Sequence, residues 1–174
     1  LNELASGFAG TAKPESSEKR IRRFLTDFDF DLDGVARLIG SKLPPGKWVL
    51  AIDRTNWQFG FININILMLS VCHKGVAIPL VWTLLTKKHE PECGKKGNSN
   101  TQERIVLMER FIRIFGEDRI AGFLADREFI GSDWFAWLQW HDIEIFIRIK
   151  ENQQIMYTNG QPANGKKVFR DLKV

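Results

Sequence analysis

Cysteine is scarce in this chain: Cys72 and Cys93 are the only two among 174 residues. That is too few for a secreted fold stapled by disulfides and fits a reducing compartment. Long apolar runs are missing as well. The longest, residues 61–72, is broken by Asn63 and Asn65 and falls short of the roughly 20 residues a membrane-spanning helix needs. Gly-x-Gly-x-x-Gly, Gly-Lys-Ser/Thr and Gly-x-Ser-x-Gly do not occur, so dinucleotide-binding, P-loop and α/β-hydrolase chemistries fit poorly. Neither sign of charge dominates. Lys and Arg number 25 against 21 Asp and Glu, a net +4 that permits a polyanionic partner without pointing to one. What is present, 44% hydrophobic residues over this length, supports one ordinary core burying about 70% of the unfolded surface.

The chain divides into three stretches without internal repeats. Residues 1–47 read as a mainly helical segment with a basic cluster, Lys19, Arg20, Arg22 and Arg23, and Pro44-Pro45-Gly46 closes it. A solvated helix face explains that cluster as well as a binding role does. Residues 48–150 alternate strand and helix. Strands are expected at 48–52, 59–72 and 76–85, joined by short turns into an antiparallel meander, with Pro79 marking an irregularity. A polar loop over 87–100 leads to a helix opened by Asn100 and Glu103 as a capping box and closed by Gly116. A fourth strand spans residues 120–125, a helix capped by Ser132 spans 133–141, and a fifth strand spans 143–149. The order β-β-β-α-β-α-β predicts an α/β architecture, a mixed sheet with helices on its faces. Residues 151–174 read as a hairpin leaving the core or a frayed tail.

Several constellations invite a metal. Asp29, Asp31, Asp33 and Gly34 match the opening of an EF-hand loop, but its twelfth position is Gly40 rather than a bidentate Glu, which excludes tight calcium binding. Phe28, Phe30 and Leu32 alternating inward, with solvated aspartates between them, is the expected arrangement. His89, Glu90, Glu92 and Cys93 cluster without the second knuckle a zinc site needs; His73 and His141 stand alone. Asp53 and Asp126 are the informative pair, because each closes an apolar strand. If those strands are neighbours, the carboxylates meet at one edge, where their repulsion favours a cation between them. Oxygen-only ligands suit Mg²⁺ or Mn²⁺.

Four blocks carry a resemblance. Asp53-Arg54-Thr55-Asn56-Trp57, Lys96-Gly97-Asn98-Ser99-Asn100, Ala125-Asp126-Arg127-Glu128-Phe129-Ile130-Gly131 and Phe146-Ile147-Arg148-Ile149-Lys150 resemble the DDE transposases of bacterial insertion sequences. The nearest branch is the insertion sequence four family, over most of residues 20–150. The resemblance implies an RNase H-like core and metal-dependent cutting of DNA at transposon ends, followed by attack of the freed 3′-hydroxyl on target DNA. It implies that Asp53 and Asp126 are two of three metal-binding acids holding Mg²⁺ or Mn²⁺. It also implies that Arg54, Arg127, Arg148 and Lys150 are DNA-binding residues contacting phosphate. Glu128 would either support the metal or form a surface salt bridge. The same resemblance implies a bacterial cytoplasmic, nucleoid-associated protein with DNA as partner, homodimeric by analogy, and no membrane.

The family's third acid sits in a Tyr-x₂-Arg-x₃-Glu-x₆-Lys pattern on a later helix. Here Tyr157 is followed at the arginine position by Gly160, and Glu144 and Glu151 come too early. Residues 151–174 resemble the opening of the family's β-rich insertion, so the chain is expected to stop before its site is complete and to cleave DNA inefficiently. Other RNase H-like nucleases, or a DNA-binding remnant without catalysis, are the rival readings. Trp134, Phe135, Trp137 and Trp140 cover more than one helix face and are expected to pack in a core or interface rather than stack on bases.

Overall fold

A computed structural model describes residues 1–8, 11–87, 90–94, 97–157 and 159–170. His89 and Lys96, singled out above, and the end of the tail lie outside these residues. The chain forms two compact units, Leu1–Leu32 and Asp33–Val174. No described helix is long and apolar enough to cross a membrane.

In the first unit, α1 (Asn2–Ser6) packs on α2 (Pro14–Asp27). Pro14 opens α2, where its missing N–H costs nothing. Within the basic cluster, Arg22 pairs with Glu18 one turn earlier at 2.9 Å, while Lys19, Arg20 and Arg23 are exposed. The expected inward alternation of Phe28 and Phe30 does not occur. Both rings are more than half exposed. Helical backbone runs through Asp27; beyond it Phe28 stacks on Phe24 at 4.6 Å and meets Phe30 edge to face at 5.6 Å, instead of either entering a core.

The second unit holds α3 (Leu32–Gly40) from its second residue on, followed by β1 (Trp48–Phe59), β2 (Ile62–His73) and β3 (Val76–Leu84). A small antiparallel pair, β4 (Thr86–Lys87) and β5 (Glu90–Gly94), starts just before and runs into the stretch 87–100 expected to be loop. Then come α4 (Thr101–Phe115), β6 (Ile120–Ala125), α5 (Ser132–Trp140) and β7 (Ile145–Ile147). A second hairpin, β8 (Gln154–Met156) and β9 (Pro162–Asn164), and the short α6 (Gly165–Val168) end the described chain. The main sheet has the order β3-β2-β1-β6-β7, antiparallel among β1–β3 and parallel from β1 through β6 to β7. Three hairpin strands followed by two crossover strands make this an RNase H-like mixed α/β sheet, as expected.

Several boundaries differ from the sequence reading. β1 does not stop at residue 52 but continues to Phe59, paired rung by rung with β2. Its polar second half is held by backbone pairing rather than burial, so hydrophobic alternation does not reveal it. β7 is shorter than 143–149, because Ile143 turns into the core before the ladder starts. Ser132 is the first helical residue of α5 rather than its cap; Gly131 holds the cap position without a side-chain bond. The Asn100 box forms in full: Asn100 Oδ1 accepts from the Glu103 N–H at 2.9 Å, and Glu103 Oε2 accepts from the Asn100 N–H at 2.7 Å. The irregularity foreseen at Pro79 is a register shift between Leu69 and Ser70 of β2, whose partner across the ladder is Pro79.

Alternate residues of the strands, Trp48, Leu50, Ile52, Leu67, Leu69, Val71 and Phe123, form one buried face. Leu107, Met108 and Phe111 of α4 and Trp134 and Leu138 of α5 complete that core. Each fully buried leucine or phenylalanine contributes about 1.5–3 kcal/mol. Trp134 is wholly buried and stacks on Trp137 at 5.6 Å, whereas Trp140 is 80% exposed. α3 joins this face through Ala36 and through Gly40, where a Cβ would lie 2.5 Å from a Phe115 ring carbon. Asp33, expected to stay solvated, instead accepts from Arg110 at 2.7 Å and Arg113 at 2.9 Å.

Candidate metal centre at the end of the parallel ladder

The β1–β6 ladder runs from Trp48 opposite Ile120 to Ile52 opposite Ala125. Asp53 and Asp126 are the next residue on each strand. Neighbouring strands lie about 4.8 Å apart and partners in a parallel pair share a face, so the two carboxylates leave the ladder side by side. Leu50, Ile52 and Phe123 point into the core on one face; parity sets the aspartates on the other, where both are exposed. Asp53 therefore closes this ladder, although β1 itself runs on.

Each aspartate is held by the N–H of the residue that follows it. The Arg54 N–H donates to Asp53 Oδ1 at 2.7 Å, and the Arg127 N–H donates to Asp126 Oδ1 at 2.7 Å. Asp126 thereby caps the 3₁₀ turn Arg127–Phe129, which is pinned by the fully buried Phe129. The second oxygen of each carboxylate has no hydrogen-bond partner among the described residues.

The segments behind the aspartates are tied together. Arg54 donates through Nε and Nη2 to the two oxygens of Glu128, both at 3.1 Å, and Nη2 also donates to Asn98 Oδ1 at 3.3 Å. Its side chain is only 12% exposed, so the guanidinium is committed inside the protein. Beneath it, Arg104 is buried on the inner face of α4. It donates to Ser99 Oγ at 3.0 Å, to the Ser99 carbonyl at 2.7 Å and to the Glu128 carbonyl at 3.1 Å, and lies over the Phe129 ring. Burial pulls the Arg104 pKa below its ordinary value, against the opposing charges of Glu128 and Glu103. Asn65 Nδ2 donates to the Gly97 carbonyl at 3.0 Å and fixes the same loop from β2. Sequence reasoning missed Arg104 and Asn65. The signal was there for Arg104, a cation on the apolar stripe with Leu107, Met108 and Phe111.

Arg127, Arg148 and Lys150 are exposed. The Arg148 N–H donates to the Ala125 carbonyl at 3.2 Å, which sets Arg148 beside Asp126 at the same sheet end. Glu144 precedes β7 and lies at its opposite end, with its carbonyl accepting from the Phe123 N–H at 2.8 Å. Glu151 lies beyond the strand and is exposed. Among the described residues no three His, Cys, Asp or Glu side chains gather to hold a metal. Asp53 and Asp126 supply two oxygen donors of the hard type Mg²⁺ and Mn²⁺ prefer.

No protein-family model matches the chain, and no curated protein does. Among solved structures, the HTLV-2 integrase catalytic core domain in complex with magnesium aligns over 59% of this chain and 61% of its own, at 10% identity and a TM-score of 0.42. The simian T-cell lymphotropic virus intasome in complex with PP2A regulatory subunit B56 gamma aligns over 64% and 37%, at 13% identity and a TM-score of 0.44. The large terminase from a thermophilic bacteriophage aligns over 62% and 24%, at 17% identity and a TM-score of 0.37. The chain spans less than two thirds of the length of each of these structures. Its fold class rests on its own strand order.

Proposed function

We propose that this chain carries the metal-binding edge of a DNA-cutting and DNA-joining enzyme, a DDE transposase of the insertion sequence four kind. The observation that carries the reading is the placement of Asp53 and Asp126 directly past the last rung of the β1–β6 ladder, each with one oxygen held by the N–H of the next residue. A divalent cation there would activate water or a 3′-hydroxyl and stabilise the leaving oxygen of a phosphodiester. The protein's share is to hold the two carboxylates at fixed separation, through the Arg54–Glu128 pair, and to offer Arg127, Arg148 and Lys150 to phosphate. Among the described residues Glu128, the further acid near this edge, is taken up by Arg54 and no group of three forms, so the chain by itself binds metal weakly and cuts DNA inefficiently.

The test is calorimetric titration of the chain with Mn²⁺, alongside Mg²⁺-dependent nicking of supercoiled plasmid. Asp53→Asn and Asp126→Asn should each lower Mn²⁺ affinity at least tenfold and abolish any nicking, while the metal-free protein keeps its thermal midpoint. Unchanged Mn²⁺ binding in both variants would sink the reading. DNA binding with no response to metal would favour the non-catalytic DNA-binding alternative.

A further inference from the structure

Charge is unevenly distributed along this chain. Between residues 148 and 170 stand Arg148, Lys150, Lys166, Lys167 and Arg170 with one acid, Glu151. Their excess equals the +4 of the whole chain, so the remaining residues are together electroneutral. These cations are separated by up to 22 positions, yet the fold brings three of them, Lys150, Lys166 and Arg170, to one place. Gly165 sits against the backbone where β7 gives way to the next hairpin: a Cβ there would meet the Lys150 carbonyl at 3.1 Å and the Glu151 carbonyl at 3.2 Å. The Gly165 N–H donates to the Gln153 carbonyl and the Lys166 N–H to the Glu151 carbonyl, each at 2.8 Å. The short α6 is thus drawn onto the exit of β7. A cavity of about 440 Å³ opens between them, walled by Ile149 and Phe169 and by Lys150, Glu151, Lys166 and Arg170, with Gly165 at its back. It begins at Ile149, the residue after Arg148, whose backbone is bonded to Ala125 beside Asp126.

We infer that this cavity is a phosphate-binding cradle for the DNA backbone, continuous with the carboxylate edge. It assigns binding roles to Lys166 and Arg170, which the sequence reading did not single out. On the cavity wall Lys150 and Lys166 are exposed cations and, with Arg170, outnumber the one acid, Glu151, unlike the Arg54 site, where one guanidinium faces one carboxylate, Glu128. Phe169, 46% exposed on the cradle wall, adds an aromatic face of the kind that stacks on an unpaired base. Contacts of this type orient and hold a strand without reading its sequence. The inference rests on the reading of DNA as substrate.

Fluorescence anisotropy with a labelled DNA duplex over a series of salt concentrations tests it on the full chain. The variant Lys150→Gln/Lys166→Gln/Arg170→Gln should lower the slope of log K against log salt by about 2–3, each phosphate contact being worth about 0.9. Affinity at low salt should fall more than tenfold. Glu151→Gln should tighten binding several-fold, an outcome that loss of folding cannot imitate. Lys74→Asn, at the β2–β3 turn on the far end of the sheet, should match the wild type. A wild-type slope in the triple variant, with Glu151→Gln neutral, overturns the cradle alone. No binding of DNA by the wild-type chain at any salt overturns both the cradle and the DNA reading. Cradle-dependent DNA binding without any Mn²⁺ binding supports the cradle and removes only the metal reading.

Discussion

Arg54 and Arg148 flank Asp126 from the two strands on either side of β6, and they serve opposite ends. Arg54 is nearly buried, forked onto Glu128 and touching Asn98. Arg148 is exposed and belongs to a stretch in which cations outnumber acids five to one. The first region uses its positive charge inside the protein, holding two backbone segments together; the second sets Arg148, Lys150 and Lys166 in solvent. Residue type alone does not separate them. Burial and the local supply of acids do, because a guanidinium already matched in a low-dielectric setting gains little by exchanging its carboxylate for a phosphate.

The contrast can be broken experimentally, and the largest effect belongs to the closed region. Arg104→Met leaves the Ser99 and Glu128 carbonyls without their donor and should cost about 3 kcal/mol in urea unfolding; a loss under about 1 kcal/mol would show that this region is not held from below. Next is the Arg54–Glu128 pair. Arg54→Met and Glu128→Gln should each cost about 1 kcal/mol and less than additively together, as read by a double-mutant cycle. Additive costs, with a reduced salt slope in Arg54→Met, would move Arg54 into the open group. In the cradle, Lys150→Gln/Lys166→Gln should leave unfolding stability within about 0.5 kcal/mol of wild type, although DNA binding changes.

Asp33 extends the comparison to pH. The Arg110 guanidinium beside it, helped by Arg113, holds its carboxyl below the ordinary 3.8 against the opposing effect of burial. A lowered folded value means that Asp33 stabilises the fold in full above pH 3.8 and loses this contribution as pH falls through the folded value. The stability gap between wild type and Asp33→Asn should therefore be constant near neutrality and shrink on acidification below pH 3.8. A gap that widens on acidification would refute the assignment.

Locally encoded features were legible in the sequence. The capping box at Asn100, the Gly116 stop and the strand Ile120–Ala125 each depend on residues within a few positions of one another, and the observed elements agree with them. The aspartate pair was legible because each acid closes an apolar run. The overrun of β1 was not, since residues 54–59 are held by β2 rather than by their own pattern. The commitment of Arg54 was hidden for a similar reason: its partner is 74 positions away, and nothing in Asp53-Arg54-Thr55 distinguishes a guanidinium that turns inward from one that meets solvent. Nor did composition reveal that α6 folds back onto the exit of β7.

The face on which Asp53 emerges is a matter of counting. Side chains alternate along β1, so one residue inserted between Val49 and Ile52 would turn Asp53 toward the core while Asp126 stayed in place. The sheet does absorb an irregularity between Trp48 and Val49, below the rungs that set this parity. An insertion at the hairpin tip, where Gly60 has φ +60° and Phe61 is 99% exposed, would leave the carboxylate pair untouched. Variation in length among descendants of this chain should therefore collect at the tip and spare the stretch from Val49 to Asp53.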